Sequence, residues 1–319
     1  VLNQTRHVSP DTTARVLQAI TDVGYVHNSL ARTLRRGQSD AIGMITSTLR
    51  NPMFIRVPQT IESITADLGY TLLQADHHDQ PDLEIRAVEK LLNWRVDALI
   101  LQPSLAPTPV LEQLQLRQLP VVLIDRKPHA SFNDAFDFVG TENVEAAQAL
   151  VQHLLEHDHR RIGVVCGDLS SSTMAERVTG YRTALAQTGI DDDLVRPVPP
   201  GIDEAADATA ELMQTERPPT AIFAANDQTC LGVLYGLRRL GLKVPRDVAL
   251  VAFDDIPWAV GFEPSLTCAQ QQVQVIGQVA AGLIIKRLAS TETGPAVHYD
   301  VPTTVIYRDS CGCTPVTAP

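Results

Sequence analysis

From Asp40 onward, short apolar runs alternate with longer amphipathic stretches, and this alternation leaves the chain very few architectures. The runs fall at 41–46, 70–75, 98–102, 120–125, 136–140, 161–167, 220–225 and 248–253. Several are apolar on both faces, as strands inside a parallel sheet are. Between them the spacing predicts helices over 53–68, 81–94, 108–118, 142–157, 174–188, 203–215, 227–240 and 271–289. Strands and helices taken in turn mean parallel sheets wound with helices. The strands are too many for one compact sheet, so the pattern predicts two α/β domains with a break near 155–160. A fresh βαβ series begins after the break, which reads as a loose internal duplication.

Residues 1–40 differ in kind. They carry a charge balance of +2 against −13 for the rest, within a net charge of −11. An acidic body argues against wholesale nucleic-acid binding but leaves room for a small basic module. Ser9-Pro10-Asp11 marks a helix start, with Ser9 as N-cap, and Gly24 marks its stop. Tyr25–Gly37 then sets Arg32, Arg35 and Arg36 around a Leu30/Leu34 face. A lone helix this short is marginal in water and holds when docked, most obviously on a polyanion. The alternative is a solvated linker helix. Five Cys without a framework suit free thiols in a reducing cytoplasm. No run approaches the ~18 apolar residues of a membrane span. The start shows no charged segment followed by an apolar run, so no secretory signal is expected.

Open sheets of this kind bind ligands beyond the carboxyl ends of their strands. There the sequence places Ser47, Asn51-Pro52-Met53-Phe54, Ser104, Asp125-Arg126, the Ser-rich loop from Gly167 to Ser172, Asn226-Asp227-Gln228 and Asp254-Asp255. A cleft so lined suits a small polyhydroxylated ligand. Asn226-Asp227 can cap the helix it opens, face the ligand, or divide the two tasks. Asp254-Asp255 could be paired catalytic carboxylates. No activated nucleophile, metal set or phosphate loop accompanies them, so a binding Asp beside a loop-forming neighbour is the better reading. Arg177, early in its helix, can turn its planar fork to the cleft rather than to solvent. Trp258 can stack on a sugar face or pack at the cleft mouth, and Met53 and Phe54 can wall the pocket or begin a helix core. His153 and His157 share a helix face with His159 beyond. Spacing supplies no third ligand and a surface helix end explains them, so no metal is expected. Cys311-Gly312-Cys313 is a weak sign of metal or redox chemistry, and His77-His78 reads as a solvated loop.

With these residues placed, the chain resembles the lac repressor/galactose repressor family of bacterial transcription regulators from Val1 to about Arg308. The resemblance is carried by Val1-Leu2-Asn3, Val8-Ser9-Pro10-Asp11-Thr12, Gly24-Tyr25-Val26-His27-Asn28, Ala31-Arg32-Thr33-Leu34, Asn51-Pro52-Met53-Phe54, Glu176-Arg177 with Gly180-Tyr181, Asn226-Asp227, and Phe253-Asp254-Asp255 with Pro264-Ser265-Leu266-Thr267. It implies two doubly wound, periplasmic-binding-protein-like subdomains, 39–157 with about 270–298 and 158–269 with about 299–319. Before them stand a truncated helix-turn-helix headpiece (1–26) and a hinge helix (27–38). Asn3, His7, Ser9 and Thr12 match positions near the DNA backbone. Asn28, Ala31 and Leu34 match the hinge helix that enters the minor groove, where Leu34 wedges into a base step. Arg177, Asn226, Asp254 and Asn143 match the effector pocket, and Met53 and Phe54 its wall.

The partners implied are operator DNA, a small sugar or sugar derivative and a second copy of the chain, with a tetramer occasional. No cofactor and no membrane are implied. A nucleoside or purine effector is the alternative, and the rival classes are a transport binding protein and an enzyme. His27 stands where the family usually has Pro, and Asp158-His159 where a Gly-His pair is common.

Overall fold

The computed structural model describes residues 8–23, 38–47, 52–256, 259–261, 263–290 and 294–313. The chain divides into two units, Val1–Asp40 and Ala41–Pro319. In the first, helix α1 (Pro10–Asp22) begins where the sequence predicts. Ser9 Oγ accepts from the Thr12 N–H at 3.4 Å, and Pro10 occupies an early position that needs no donor. Asn3, His7, Asn28, Ala31 and Leu34 lie outside the described residues.

The second unit is built on two six-stranded sheets. The first sheet takes β1 (Ala41–Thr46), β2 (Thr71–Asp76), β3 (Ala98–Leu101), β4 (Val121–Ile124), β5 (Asp137–Thr141) and β11 (His298–Val301). Its order is β11-β5-β4-β3-β1-β2, and every pairing is parallel. The second sheet takes β6 (Ile162–Cys166), β7 (Leu194–Pro197), β8 (Ala221–Ala224), β9 (Ala249–Phe253), β10 (Thr267–Gln270) and β12 (Thr304–Ile306). Its order is β12-β10-β9-β8-β6-β7, parallel except for β12 against β10. The two orders are the same pattern used twice, so the duplication seen in the sequence is a duplication of topology.

Burial explains which strands were visible beforehand. Ala-Leu-Ile-Leu of β3 and Val-Val-Leu-Ile of β4 are buried throughout because helices cover both sheet faces. The edge strands β2, β7, β11 and β12 are short or mixed in polarity and partly exposed. The helices are α2 (Pro52–Ala66), α3 (Pro81–Asn93), α4 (Thr108–Gln115), α5 (Asn143–Glu156), α6 (Ser172–Gln187), α7 (Ile202–Met213), α8 (Asp227–Arg239) and α9 (Val273–Ala289). All eight lie within a few residues of their predicted spans.

Two boundaries move. The expected division at 157 assigns α5 to the first subdomain. Its Ala147, Leu150, Val151 and Leu154 instead pack with Val164, Phe223 and Val251 in the core of the second sheet. The chain therefore leaves the first sheet near Glu142, because the apolar face of α5 completes the second core. Likewise β11, expected in the second subdomain, pairs with β5 in the first. The chain crosses between sheets three times: from β5 to α5, from β10 to α9, and from β11 to β12. Where α5 meets α6, a Cβ on Gly180 would strike the Val144 carbonyl and lie 2.9 Å from Ala147 Cβ, so the helices approach closely only because that residue is Gly.

Candidate ligand-binding site

Both sheets end their fourth strand in the same way. Asp125 follows β4 and Asp254 follows β9. The Asp125 N–H donates to the Val139 carbonyl at 2.9 Å, and the Asp254 N–H to the Ala269 carbonyl at 3.0 Å. Both residues have left-handed backbone, with φ of 67° and 78°. Asp tolerates that conformation better than most residues, but it remains a strained choice of the kind that collects at binding sites. Each Asp is then gripped by a Gln. Gln102 Nε2 donates to Asp125 Oδ2 at 2.7 Å, and Gln271 Nε2 to Asp254 Oδ1 at 2.6 Å. Gln271 also accepts from Thr141 Oγ1 at 2.7 Å, so Asp254 is tied to two of the segments that cross between the sheets.

Between these ends lies a cavity of about 550 Å³, lined from the first sheet by Ser47, Asp79, Gln102, Asp125 and Arg126, and from the second by Asp168, Arg177, Asn226, Asp227 and Asp254, with Gln271 at the crossing. Arg177 enters from the first turns of α6 and is 3% exposed. Its Nε donates to Asn143 Oδ1 at 2.9 Å and its Nη1 to the Ala225 carbonyl at 2.7 Å. Its guanidinium lies 3.5 Å over the Phe253 ring and 4.0 Å from Asp254 Oδ2. Burial pulls its pKa down, and the charges of Asp254, Asp125 and Asp227 oppose that pull. On the opposite wall, Arg126 pairs with Asp79 through both terminal nitrogens and also donates to the Pro103 carbonyl at 3.1 Å.

Helix α8 opens at the cavity. Asn226 Oδ1 accepts from the Thr229 N–H at 2.8 Å, and Thr229 Oγ1 accepts in turn from the Asn226 N–H at 3.0 Å. Asn226 thus caps α8 with its side-chain oxygen, and Asp227 stands buried beside it; both line the cavity. Burial first, and then the charge of Asp254, push the Asp227 carboxyl up to about 6. Burial likewise raises Asp125 against the pull of Arg126 and Arg177. Two buried polar atoms of this lining have no partner among the described residues, Arg126 Nε and Asp227 Oδ1. One is a donor and the other an acceptor, and buried polar groups in folded proteins are seldom left unpaired without a ligand or water to meet them.

Of the residues expected here, Arg177, Asn226 and Asp254 come together at the cavity. Asn143 does not line it. It holds Arg177 by one amide atom and donates with the other to Glu176 Oε2 at 2.9 Å, so it positions the Arg instead of facing the ligand. The side chains of Met53 and Phe54, and Trp258 altogether, lie outside the described residues. Asp255 turns away to Arg308, at 2.8 and 3.0 Å, so it forms no carboxylate pair with Asp254. His77 is no solvated loop residue. It is fully buried, with Nε2 2.9 Å from the Gln102 carbonyl and Nδ1 accepting from the Asp79 N–H at 3.1 Å. It thereby places the loop that carries Asp79.

Of the three histidines near 153–159, His153 and His157 stack with ring centroids 4.4 Å apart, while His159 turns to Thr220. His157 Nδ1 contacts the His153 carbonyl at 2.8 Å, and His159 Nδ1 reaches Thr220 Oγ1 at 2.9 Å. His153 is buried rather than a surface residue, and burial lowers its pKa. The expectation of five free thiols is also corrected, since Cys311 and Cys313 are joined in a disulfide while Cys166, Cys230 and Cys268 are free and buried. Sequence reasoning missed Asp79, Gln102 and Gln271. Asp79 follows β2 and was within reach of the strand-end rule, whereas Gln102 and Gln271 gave no signal beyond their place next to a strand.

Residues 39–303 match the family of periplasmic binding proteins and the sugar-binding domain of the LacI family. The chain is similar to the HTH-type transcriptional repressor PurR of Haemophilus influenzae, with 29% identity over 297 residues, 92% of this chain and 87% of that protein. It is 28% identical over 310 residues to the ribose operon repressor of Halalkalibacterium halodurans, covering 97% of this chain and 91% of that one. Among solved structures it resembles the transcriptional regulator CelR–cellobiose complex, with a TM-score of 0.79 and 27% identity over 97% of this chain and 93% of that one.

Proposed function

This chain belongs to the LacI family of transcriptional regulators, and on that premise we propose that its cleft binds a small uncharged sugar which alters the hold of residues 1–38 on operator DNA. The observation that carries the ligand class is the unpaired donor and acceptor, Arg126 Nε and Asp227 Oδ1, in one cavity. A sugar hydroxyl both donates and accepts, so a polyhydroxylated ligand suits a lining that offers both a free donor and a free acceptor. Charge argues the same way. Asp79, Asp125, Asp168, Asp227 and Asp254 outnumber Arg126 and Arg177 in the lining, and both Arg side chains already hold protein acceptors. A phosphorylated sugar would meet a surplus of carboxylates.

A nucleoside or purine effector is the second reading. No Phe, Tyr or Trp stands among the described lining residues to stack on a base. The similarities to a ribose operon repressor and to a cellobiose complex favour the sugar.

Signal transmission follows from the connections of the site. Asp254 is linked through Gln271 to Thr141, on two crossing segments, and at the rim Lys127 bonds Glu176 at 2.9 Å across the cleft. A ligand held from both sheets changes the angle between them. Two copies of the regulator on a palindromic site would then change the spacing of their hinge helices. Asn28, Ala31 and Leu34 act in the minor groove, and Asn3, His7, Ser9 and Thr12 near the backbone. The ligand must prefer one of the two states by about 1–3 kcal/mol. Among the described residues no helix is long and apolar enough to cross a membrane. A regulator of DNA works in the cytoplasm and needs no catalytic group, and the divergence of Asp254 and Asp255 fits binding without turnover.

The test is a thermal-shift panel of ribose and other neutral aldoses, their phosphates, and purine bases. A neutral sugar at ~100 times its Kd should add about 2.7 kcal/mol of stability, and Asp254→Ala should remove the effect. A response to purine bases alone moves the reading to the second effector class. A response to sugar phosphates alone overturns the charge argument.

A further inference from the structure

His153 lies in the last turn of α5, far from the cleft-facing start of that helix. It is 9% exposed, and its Nε2 is buried with no hydrogen-bond partner among the described residues. The rings of His157 and Tyr307 flank it, each with its centroid 4.4 Å away. Two sulfurs meet it: a ring nitrogen of His153 and the Sγ atoms of Cys311 and Cys313 all lie within 4.8 Å of one another. Cys311 is 1% exposed and Cys313 half-buried. The two cysteine Cα atoms are 5.5 Å apart.

With the two sulfurs joined as a disulfide, the buried Nε2 of this imidazole has no partner to satisfy it, an arrangement folded proteins avoid. Reduction changes what the cluster offers. Two thiolates and one imidazole are the donors of a thiophilic ion, whereas hard cations take oxygen ligands. A tetrahedral ion with metal–sulfur bonds of about 2.3 Å and metal–nitrogen bonds of about 2.0 Å sets its donors roughly 3.5–3.8 Å apart. That span fits inside the 4.8 Å limit of the cluster.

We propose that Cys311, Cys313 and His153 form a site for a thiophilic metal ion, Zn2+ in the first instance, available when the Cys311–Cys313 disulfide is reduced. Reduction takes two electrons from a dithiol or a phosphine and two protons, from the dithiol itself or, with the phosphine, from the water that turns it into its oxide, and yields two thiols. Binding then releases both thiol protons to solvent as the sulfurs coordinate. The neutral imidazole gives its nitrogen lone pair, and a water completes the fourth position. The disulfide and the ion exclude one another, because both use the same sulfur electron pairs. Once bound, the ion ties α5 to the segment that follows β12.

The site is tested with Co2+ as a spectroscopic probe on the whole chain, reduced by a phosphine and kept free of oxygen. The expected result is a sulfur-to-cobalt charge-transfer band that saturates at one equivalent and is displaced by Zn2+. The band should be absent from the oxidised protein and from Cys313→Ser. His153→Gln should weaken Co2+ binding at least about tenfold, since even outer-shell changes at metal sites cost that much. Circular dichroism checks that each variant is folded. If Cys313→Ser does not fold, His153→Gln decides alone. The proposal is overturned by a reduced protein without the band, by a band unchanged in Cys313→Ser, or by unchanged affinity in His153→Gln.

Discussion

Replacing Asp227 by Asn should make the protein more stable and bind its ligand worse. Asp227 is 5% exposed, and its carboxyl is raised from 3.8 to about 6 by burial and by the neighbouring charge of Asp254. The folded state thus holds a proton more tightly than the unfolded state does. Below about pH 4 both states are protonated and nothing is lost; as pH rises through 6 the folded state loses stability relative to the unfolded. At about 1.4 kcal/mol per tenfold change in proton affinity, the loss reaches roughly 3 kcal/mol at neutral pH. Asn keeps the size of the side chain and does not ionise. For the unit Ala41–Pro319 an unfolding entropy of about 2 cal/mol/K per residue gives about 0.6 kcal/mol per kelvin, so Asp227→Asn should raise Tm by about 5 °C near pH 8. The gain should shrink to almost nothing near pH 4. Ligand affinity should fall roughly 10–100-fold, because a hydrogen bond to a charged acceptor is lost. The assay is thermal denaturation across that pH range with and without ligand. A gain of equal size at both ends of the range, no gain at pH 8, or unchanged affinity would refute the reasoning.

Further substitutions probe the frame around the cleft and the proposed DNA-binding segment. Asn143→Ala leaves the Nε of buried Arg177 unpaired and should cost about 1.5–3 kcal/mol in denaturant unfolding. Combined with Arg177→Ala, its effect on ligand affinity should be far less than additive, since both changes break one unit. Gly180→Ala drives a Cβ into the Val144 carbonyl and should destabilise by about 1–3 kcal/mol, seen as a lower denaturation midpoint. Leu34→Ala should weaken specific DNA binding more than non-specific binding in a mobility-shift titration, and equal losses would remove the minor-groove wedge from the account.

The sequence made the interior of the fold legible because burial on both faces writes continuous apolar runs, as in β3, β4, β6 and β9. It hid β7, β11 and β12, whose outer edges meet water and whose residues are mixed, and also β10, an interior strand whose Thr-Cys-Ala-Gln does not read as an apolar run. The crossover at α5 was hidden for another reason. Its apolar face is plain, but which sheet it covers depends on where the chain turns after Thr141. The cavity lining was legible where Asp125, Arg126, Asn226 and Asp254 follow their strands, but the same rule also pointed to Ser104, which binds Glu84 instead, and to Asp255, which binds Arg308. Asn143 matched a pocket position while its actual partner is the Arg177 guanidinium, because the sequence marks which residue is polar and not what it points at. The same limit hid His77, whose burial comes from the Gln102 carbonyl brought alongside it by pairing of neighbouring strands.

The most direct test of the central claim is DNA binding with and without the sugar that raises Tm. The DNA is a fragment enriched by the regulator from sheared genomic DNA. The account predicts that the sugar changes specific affinity by at least about fivefold for the wild type, in either direction, and leaves Asp254→Ala unaffected. A sugar that binds in the cleft, as judged by its loss in Asp254→Ala, yet leaves wild-type DNA affinity unchanged would contradict it.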